Sequence, residues 1–274
     1  MTRRLVSDAT TRFIHWLRQA ADPSPSSGKP AEDAGAENAG AAGADPPGDL
    51  YEMLYESHAT SQTDETVVGD LSLGPIELEI LVDHGLRPTD TLVDLGCGIG
   101  RLACEVARWM DGGEYIGTDV SDTMLRRAQS RLAALDTPPK CTVRWIKQRG
   151  TTFDLPDQSA DMISAFSVFT HIEHEDTYNF LHDGRRLIRP DGRFVFSCLP
   201  MDLLPSRYLF DASARLDFSE RWARIRNVTT SVDLMDAISR MAGWEPERWI
   251  PTSTDYFGQT ICVLRPGAGG PAVA

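Results

Sequence analysis

Residues 91–101, T-L-V-D-L-G-C-G-I-G-R, decide the fold of this protein. A short apolar run is followed by glycines at alternate positions, Gly96, Gly98 and Gly100. A helical pattern of apolar residues then begins at Arg101. Glycine is favoured where the backbone takes a positive φ or approaches a ligand closely. The stretch therefore predicts a strand, a tight turn around a ligand, and a helix whose N-terminal N–H groups face the same spot.

The spacing of these glycines separates two classes of ligand. The dinucleotide fingerprint G-x-G-x-x-G requires a glycine at position 101, where this chain has Arg101. The departure favours a smaller nucleoside over a pyrophosphate. It also disfavours an NAD-dependent oxidoreductase, for which the sequence contains no catalytic Tyr-x-x-x-Lys.

A second apolar segment, E-Y-I-G-T-D-V at residues 114–120, ends in an acid about twenty residues after the turn. Folds of the α/β class place a carboxylate at this position, where it accepts hydrogen bonds from both ribose hydroxyls. Any strand can end in an acid, so Asp119 alone is a weak signal. Together with the glycine turn, it predicts a nucleoside-binding site.

With these two features, the chain resembles the class I S-adenosylmethionine-dependent methyltransferases, whose first motif has the form V-D-L-G-C-G-x-G. The resemblance is specific over residues 91–198, looser to residue 264 and absent before about residue 50. It implies an α/β fold of the Rossmann-like type: a doubly wound, mostly parallel seven-stranded sheet with helices on both faces. It also implies S-adenosylmethionine as the cofactor.

The resemblance assigns the cofactor site to the following residues: Asp94, Gly96, Cys97, Gly98, Gly100, Asp119, Val120, Met124, Thr151 and Ser164. Asp94 stands where the family has an acid that acts on the cofactor's amino group, and capping the turn is its alternative role. Val120 and Met124 match positions that flank the adenine. Thr151 replaces the acid that many relatives have after the third strand, and Ser164 is expected to line the path of the methyl group.

His171 lies in S-V-F-T-H-I-E-H-E-D and falls on a histidine that is frequent in the family. Methylation of an alcohol needs a proton acceptor, and imidazole titrates near neutral pH. His171 is therefore the candidate general base. The alternative is that it orders its loop and packs beside the cofactor. We expect no metal, although His171, His174 and the acids beside them could ligate one.

The charge of the chain limits its expected partners, and its cysteine content indicates a cellular compartment. The chain has 27 Lys+Arg and 40 Asp+Glu, of which 5 and 7 fall in residues 1–50, so the acidity belongs to the folded part. Nucleic-acid binding requires neutralisation of phosphates by Lys and Arg, so no nucleic-acid partner is expected. The five cysteines are odd in number and include no C-x-x-C pair, which favours reduced core residues in a cytoplasmic protein.

Composition divides the chain into four parts. Residues 1–20 form a basic amphipathic segment, typical of a helix that rests on its own domain or contacts a membrane surface, and the first reading is favoured. Residues 21–49 lack large apolar side chains and are expected to be a disordered linker. The methyltransferase domain is expected over 50–266 and a disordered tail over 267–274. In the family, helices at the start of the domain cover the cofactor, which gives Tyr51, Tyr55 and His58 a contact role, with core packing as the alternative.

Apolar periodicity predicts strands that alternate with helices. The third, fourth and fifth strands are expected over 141–146, 161–168 and 192–198. Ser121 is expected to cap one helix, and Thr230 with Asp233 suits a capping box for another. Residues 199–230 are expected to be irregular and to wall a substrate pocket, because doubly wound sheets bind ligands beyond the carboxyl ends of their strands.

These observations predict an S-adenosylmethionine-dependent methyltransferase that acts on a small molecule, at the oxygen of a hydroxylated metabolite or sugar. Two alternatives stay open. One is a non-catalytic cofactor-binding or scaffold protein with the same fold. The other is a methyltransferase of a lipid or membrane-linked acceptor.

Overall fold

The computed structural model describes residues 50–63, 71–251 and 258–268. The amphipathic segment expected over 1–20, the linker expected over 21–49 and most of the tail expected over 267–274 lie outside these residues.

The strands of the described residues form a mostly parallel sheet. They are β1 (Thr91–Leu95), β2 (Glu114–Asp119), β3 (Thr142–Lys147), β4 (Ala160–Ala165), β5 (Ile188–Pro200), β6 (Thr229–Thr230), β7 (Trp244–Pro251) and β8 (Thr260–Pro266). Seven of them lie in the order β3-β2-β1-β4-β5-β8-β7, and the two-residue β6 pairs with the end of β5. Strands β1 to β5 run parallel, whereas β8 is antiparallel to β5 and β7. The expected doubly wound α/β fold is confirmed.

Helices cover both faces of this sheet. They are α1 (Leu50–Ser61), α2 (Gly74–Asp83), α3 (Arg101–Trp109), α4 (Asp122–Ala133), α5 (His174–Leu187), α6 (Leu204–Ala214), α7 (Phe218–Trp222) and α8 (Val232–Met241). Successive side chains of a strand point to opposite faces. On β1, Val93 joins a buried cluster with Leu181 of α5, whereas Leu92 joins a second cluster with Val106 of α3. Among the described residues, no helix is both long and apolar enough to cross a bilayer.

The parallel strands bring three chain segments to one edge of the sheet. The register pairs Leu95 of β1 with Thr118 of β2, and Asp94 of β1 with Ser164 of β4. The glycine turn, the segment after Asp119 and the loop after β4 therefore emerge side by side, at the edge where doubly wound sheets bind ligands.

The fourth strand is shorter than expected. It ends at Ala165 instead of continuing to residue 168. Ser167 has a positive φ of 58°, which is incompatible with a strand, and its N–H donates to Ser197 Oγ at 2.7 Å. The chain therefore turns away from the sheet two residues after β4, and this turn starts the loop that carries His171.

The expectation that residues 199–230 are irregular is wrong, because they contain α6 and α7. Helix α6 has a proline in its first turn, a position where the missing N–H carries no penalty. Helix α7 begins with a capping box in which Glu220 N donates to Asp217 Oδ1 and Asp217 N donates to Glu220 Oε2.

Of the two predicted helix caps, the structure contains one and places the other at a neighbouring residue. The Ser121 cap is confirmed, since its Oγ accepts a hydrogen bond from Met124 N at 3.1 Å. The capping box of Thr230 and Asp233 is wrong: the N-cap of α8 is Ser231, whose Oγ accepts from Leu234 N at 3.1 Å. The boundary was misplaced because Thr230 is occupied in β6, where its carbonyl accepts from Met201 N.

We predict that Ser231→Ala lowers the free energy of unfolding by about 1 kcal/mol, because an N-cap oxygen satisfies an otherwise unpaired helix N–H. The measurement is urea denaturation followed by circular dichroism. Thr230→Val, which keeps the branched shape one residue away, serves as the control. A larger loss for Thr230→Val than for Ser231→Ala would contradict this assignment of the cap.

Candidate active site

The glycine turn after β1 is held by close packing. Gly96, Gly98 and Gly100 all have positive φ, at 69°, 54° and 78°. A Cβ built on Gly96 would lie 2.5 Å from Val168 Cγ2, and one built on Gly100 would lie 3.0 Å from Ala128 Cβ. Gly96 therefore lets the loop after β4 lie against the turn, and Gly100 lets α3 approach α4.

Asp119 joins the end of β2 to this turn. Its Oδ2 accepts from Gly98 N at 2.9 Å, and its Oδ1 accepts from Ser121 N at 2.9 Å. Burial raises the pKa of the Asp119 carboxyl to about 6, although the two backbone donors oppose this shift. Each oxygen accepts one backbone N–H and keeps further acceptor capacity.

Asp94 lies below the turn at the end of β1. Its Oδ2 accepts from Tyr115 Oη at 2.6 Å and its Oδ1 from Ser164 Oγ at 2.8 Å. Burial raises the pKa of the Asp94 carboxyl to about 7, and the neighbouring Glu77 adds to this, whereas the two hydroxyl donors oppose it. Tyr115 escaped the sequence analysis because its place in an apolar strand indicated only packing.

Helix α1 closes the Asp119 side of the site. Glu56 accepts hydrogen bonds from Ser121 Oγ at 2.5 Å, from Thr123 N at 3.2 Å and from Thr123 Oγ1. Lys147 at the end of β3 pairs with Glu52 at 2.9 Å. The role of Glu56 is not evident from the sequence, because a carboxylate on a helix carries no signal of its distant partner.

The loop after β3 is ordered by another buried group. Gln148 Nε2 donates to the carbonyls of Gly150 and Thr152 at 3.0 and 2.8 Å. These bonds fix the backbone on either side of Thr151. Gln148 also escaped the sequence analysis, in which only the hydroxyl of Thr151 was considered.

His171 has its Nδ1 2.8 Å from the carbonyl oxygen of Arg226. A carbonyl only accepts, so Nδ1 carries a hydrogen and Nε2 is the remaining acceptor of the neutral ring. Burial lowers the pKa of His171 below its ordinary value. The imidazole is therefore neutral near pH 7, with its Nε2 lone pair available to accept a proton.

Arg226 also ties the segment after α7 to the loop of His171. Its guanidinium forms an ion pair with Glu173 and lies 3.9 Å from the ring centroid of Trp222. Val228 N donates to the carbonyl of Thr170 at 2.7 Å. No sequence pattern indicates this link, because the backbone acceptor of His171 lies 55 residues away along the chain.

One cavity of about 2010 Å³ connects these features. Most of the predicted site residues line it: Asp94, Gly96, Cys97, Gly98, Asp119, Val120, Met124, Thr151 and His171. Gly100 and Ser164 do not line it, and they instead support helix packing and Asp94. Tyr51, Tyr55 and His58 of α1 line it too. The specific roles of all these residues toward a cofactor stay predictions.

Two other chemistries receive no support in the described part of the chain. The thiol of Cys97 has its pKa raised well above its ordinary value, first by burial and then by the charges of Asp119 and Asp94, so it is not an activated nucleophile. No group of three or more His, Cys, Asp and Glu residues is arranged there to hold a metal ion.

Residues 92–192 match the family model described as "Methyltransferase domain". Among curated relatives, the chain is 28% identical over 168 residues to 27-O-demethylrifamycin SV methyltransferase of Amycolatopsis mediterranei, which covers 59% of this chain and 56% of that protein. It is 34% identical over 120 residues to the ubiquinone biosynthesis O-methyltransferase of Alkalilimnicola ehrlichii, at 43% and 44% coverage. The chain spans about half the length of these relatives.

The fold has relatives among solved structures. Magnesium protoporphyrin IX methyltransferase from Synechocystis, with bound SAH, superimposes with a TM-score of 0.57 over 74% of this chain and 88% of that one, at 21% identity. The CcbJ methyltransferase from Streptomyces caelestis gives a TM-score of 0.56 over 80% and 98%, at 17% identity. At these identities the likeness concerns the fold.

We predict that Asp94→Asn becomes progressively more stable than the wild type as the pH rises from about 4 to 8. The folded-state pKa of Asp94, about 7, lies above the ordinary 3.8, so the folded protein binds more protons than the unfolded one between these values. The stability contributed by protonated Asp94 is complete below about pH 4 and is lost as the pH rises through 7. The stability difference should approach about 4 kcal/mol at most.

The measurement is urea denaturation of both proteins at several pH values. Asp136→Asn, an exposed acid after α4, is the control and should show no comparable trend. A stability difference between Asp94→Asn and the wild type that shrinks with rising pH would contradict the raised pKa assigned to Asp94.

Proposed function

We propose that this protein, whose residues 92–192 form a methyltransferase domain of the class I S-adenosylmethionine-dependent family, transfers a methyl group from S-adenosylmethionine to a hydroxyl oxygen of a small molecule. The observation that carries the proposal is the hydrogen bond between Gly98 and Asp119 at the edge of a large cavity. It joins the two features that a nucleoside ligand requires, a close backbone turn and a carboxylate acceptor.

The residues of the cavity suit this cofactor. Asp119 has an ionisable carboxylate with spare acceptor capacity, which suits a ribose diol. Asp94, a second buried acid that lines the cavity, suits an ammonium group, because a nearby cation favours the ionised carboxylate. Val120 and Met124 supply apolar contacts for a base, and the loop held by Gln148 supplies backbone groups at its edge.

When bound, S-adenosylmethionine supplies an electrophilic methyl group on a positively charged sulfur that leaves as a neutral thioether. The protein has to hold the acceptor oxygen in line with that methyl group, and such positioning can contribute about 7–11 kcal/mol. The segment 199–230, which begins at the end of β5 and contains α6 and α7, is called the insertion. The loop of His171 and the insertion supply the walls that hold the acceptor. His171 Nε2, held in the acceptor tautomer by the carbonyl of Arg226, takes the proton of the hydroxyl.

Three observations support a small molecule and an oxygen as the methyl acceptor. The relative from Alkalilimnicola is named as an O-methyltransferase, and the name of the relative from Amycolatopsis refers to a compound that lacks a methyl group on one oxygen. A proton acceptor such as His171 is useful for an alcohol, whose oxygen is a poor nucleophile until its proton leaves. The net charge of −13 argues against a nucleic-acid acceptor.

We predict that Asp119→Asn weakens binding of S-adenosylhomocysteine at least tenfold, because each charged hydrogen bond to a ribose hydroxyl contributes about 1.5–3 kcal/mol. Isothermal calorimetry measures the dissociation constant, and thermal melting checks the fold. Asp122→Asn, which removes the exposed acid three residues further on, is the matched control and should bind as the wild type.

The same carboxylate predicts a pH dependence. Since the pKa of Asp119 is about 6, wild-type binding should weaken as the pH falls below that value and the carboxyl becomes protonated. Absence of binding heat from folded wild-type protein, or equal affinity of Asp119→Asn, would contradict the proposed function.

We predict that His171→Ala lowers kcat by about 10²-fold to 10⁴-fold, the usual contribution of a general base, and leaves the affinity for S-adenosylhomocysteine within about twofold. The acceptor is first identified by transfer of labelled methyl from S-adenosylmethionine into a cell extract. His182→Ala, an exposed histidine on α5, is the control. An unchanged kcat, or lost cofactor binding with kcat retained at saturation, would assign His171 a packing role.

A further inference from the structure

Four large aromatic side chains line the cavity on the side of the insertion. We call Tyr208, Phe210, Phe218 and Trp222 the aromatic wall. They lie on α6 and α7, and each is between 38% and 69% exposed. Single exposed apolar residues are ordinary, but a cluster that borders a cavity marks a surface that binds something.

The aromatic wall is preformed. The rings of Phe218 and Trp222 contact each other, with centroids 5.9 Å apart and an interplanar angle of 46°. Trp222 also packs on the guanidinium of Arg226, which forms an ion pair with Glu173. These contacts fix the ring of Trp222 before any ligand arrives, and a rigid surface binds with a smaller loss of conformational entropy.

The wall ends beside the candidate base. The backbone of Arg226, whose side chain supports Trp222, also accepts the hydrogen bond of His171 Nδ1. The wall, His171 and the glycine turn therefore line the same cavity. The volume of about 2010 Å³ exceeds the roughly 300–1,000 Å³ of a typical single-ligand pocket, so it accommodates the cofactor and a bulky second molecule.

The acids around the wall are already engaged by the protein. Asp211 pairs with Arg215, and Glu173 pairs with Arg226. Asp176 accepts from Tyr51 Oη at 2.7 Å, and Glu220 belongs to the capping box of α7. A sugar is recognised through many hydrogen bonds to carboxylates and amides, whereas these carboxylates are used within the fold. These carboxylates are therefore less available to a ligand, and the wall itself offers exposed aromatic rings.

We propose that the aromatic wall is the acceptor subsite, and that it takes a hydroxylated compound with an apolar body larger than one ring, in preference to a sugar. The proposal rests on the methyltransferase function proposed above and specifies its acceptor class. The apolar body lies on Phe210, Phe218 and Trp222, and the hydroxyl is directed toward His171.

The test uses N-phenyl-1-naphthylamine, a neutral two-part aromatic probe whose fluorescence increases in apolar sites, with the full-length protein saturated with S-adenosylhomocysteine. Saturable binding is expected. Phe218→Ala and Phe210→Ala should each weaken it about tenfold, since burial of an aromatic side chain contributes about 1.5–3 kcal/mol and 1.4 kcal/mol is tenfold. Both side chains are at least half exposed, so neither change should unfold the protein.

Leu204→Ala is the matched control. Leu204 is 77% exposed and belongs to α6, but it does not line the cavity. The Leu204→Ala variant should therefore bind the probe with the affinity of the wild type. Competition experiments distinguish the two classes of acceptor. The aromatic diol 2,3-dihydroxynaphthalene should displace the probe, and the sugar methyl α-glucopyranoside at equal concentration should not.

Three results would overturn the proposal: unchanged probe affinity in both phenylalanine variants, equal weakening by Leu204→Ala, or displacement by the glucoside at least as good as by the diol. Co-sedimentation with vesicles of phosphatidylcholine and phosphatidylglycerol distinguishes a membrane contact. If the protein binds these vesicles, and Leu204→Ala and Phe218→Ala reduce that binding equally, the proposal would also be overturned. Calorimetry with S-adenosylhomocysteine reports on the proposed function. The probe titration is also carried out without S-adenosylhomocysteine, so a failure of cofactor binding leaves the probe result readable.

Discussion

The hydrogen bond from Gly98 N to Asp119 Oδ2, at 2.9 Å, is the interaction on which the site depends. It connects the turn after β1 to the end of β2, two neighbouring strands that the parallel register already aligns. Burial raises the pKa of the Asp119 carboxyl to about 6, so the two backbone donors that face it are needed to keep it ionised near neutral pH. The same arrangement leaves acceptor capacity directed at the cavity.

The rest of the cavity is built around this point by contacts distant in sequence. Helix α1 is held over it by Glu56, whose carboxylate binds Ser121 and Thr123 at the start of α4. On the opposite side, Arg226 joins the insertion to the loop of His171. In the proposed function, the ends of the parallel strands hold the nucleoside, helix α1 covers it, and α6 and α7 face the acceptor.

The sequence was sufficient for the sheet, the turn and Asp119, because these rest on local patterns: apolar runs, alternate glycines and an acid at a strand end. It was insufficient where a residue acts through a distant partner. Ser164 was expected to line the methyl path, yet its hydroxyl donates to Asp94. The helices of the insertion did have local signals, in the proline at the start of α6 and the capping box of Asp217 and Glu220, which the aromatic composition of the segment obscured. The tautomer of His171 depends on a backbone carbonyl, and side-chain identity does not encode that contact.

The most direct measurement of the central claim is a crystal structure of the protein with S-adenosylhomocysteine. We predict density for the nucleoside between the glycine turn and the end of β2, with both ribose hydroxyl oxygens within about 3.2 Å of the Asp119 carboxylate. A nucleoside bound elsewhere, or bound with its ribose directed away from Asp119, would contradict it.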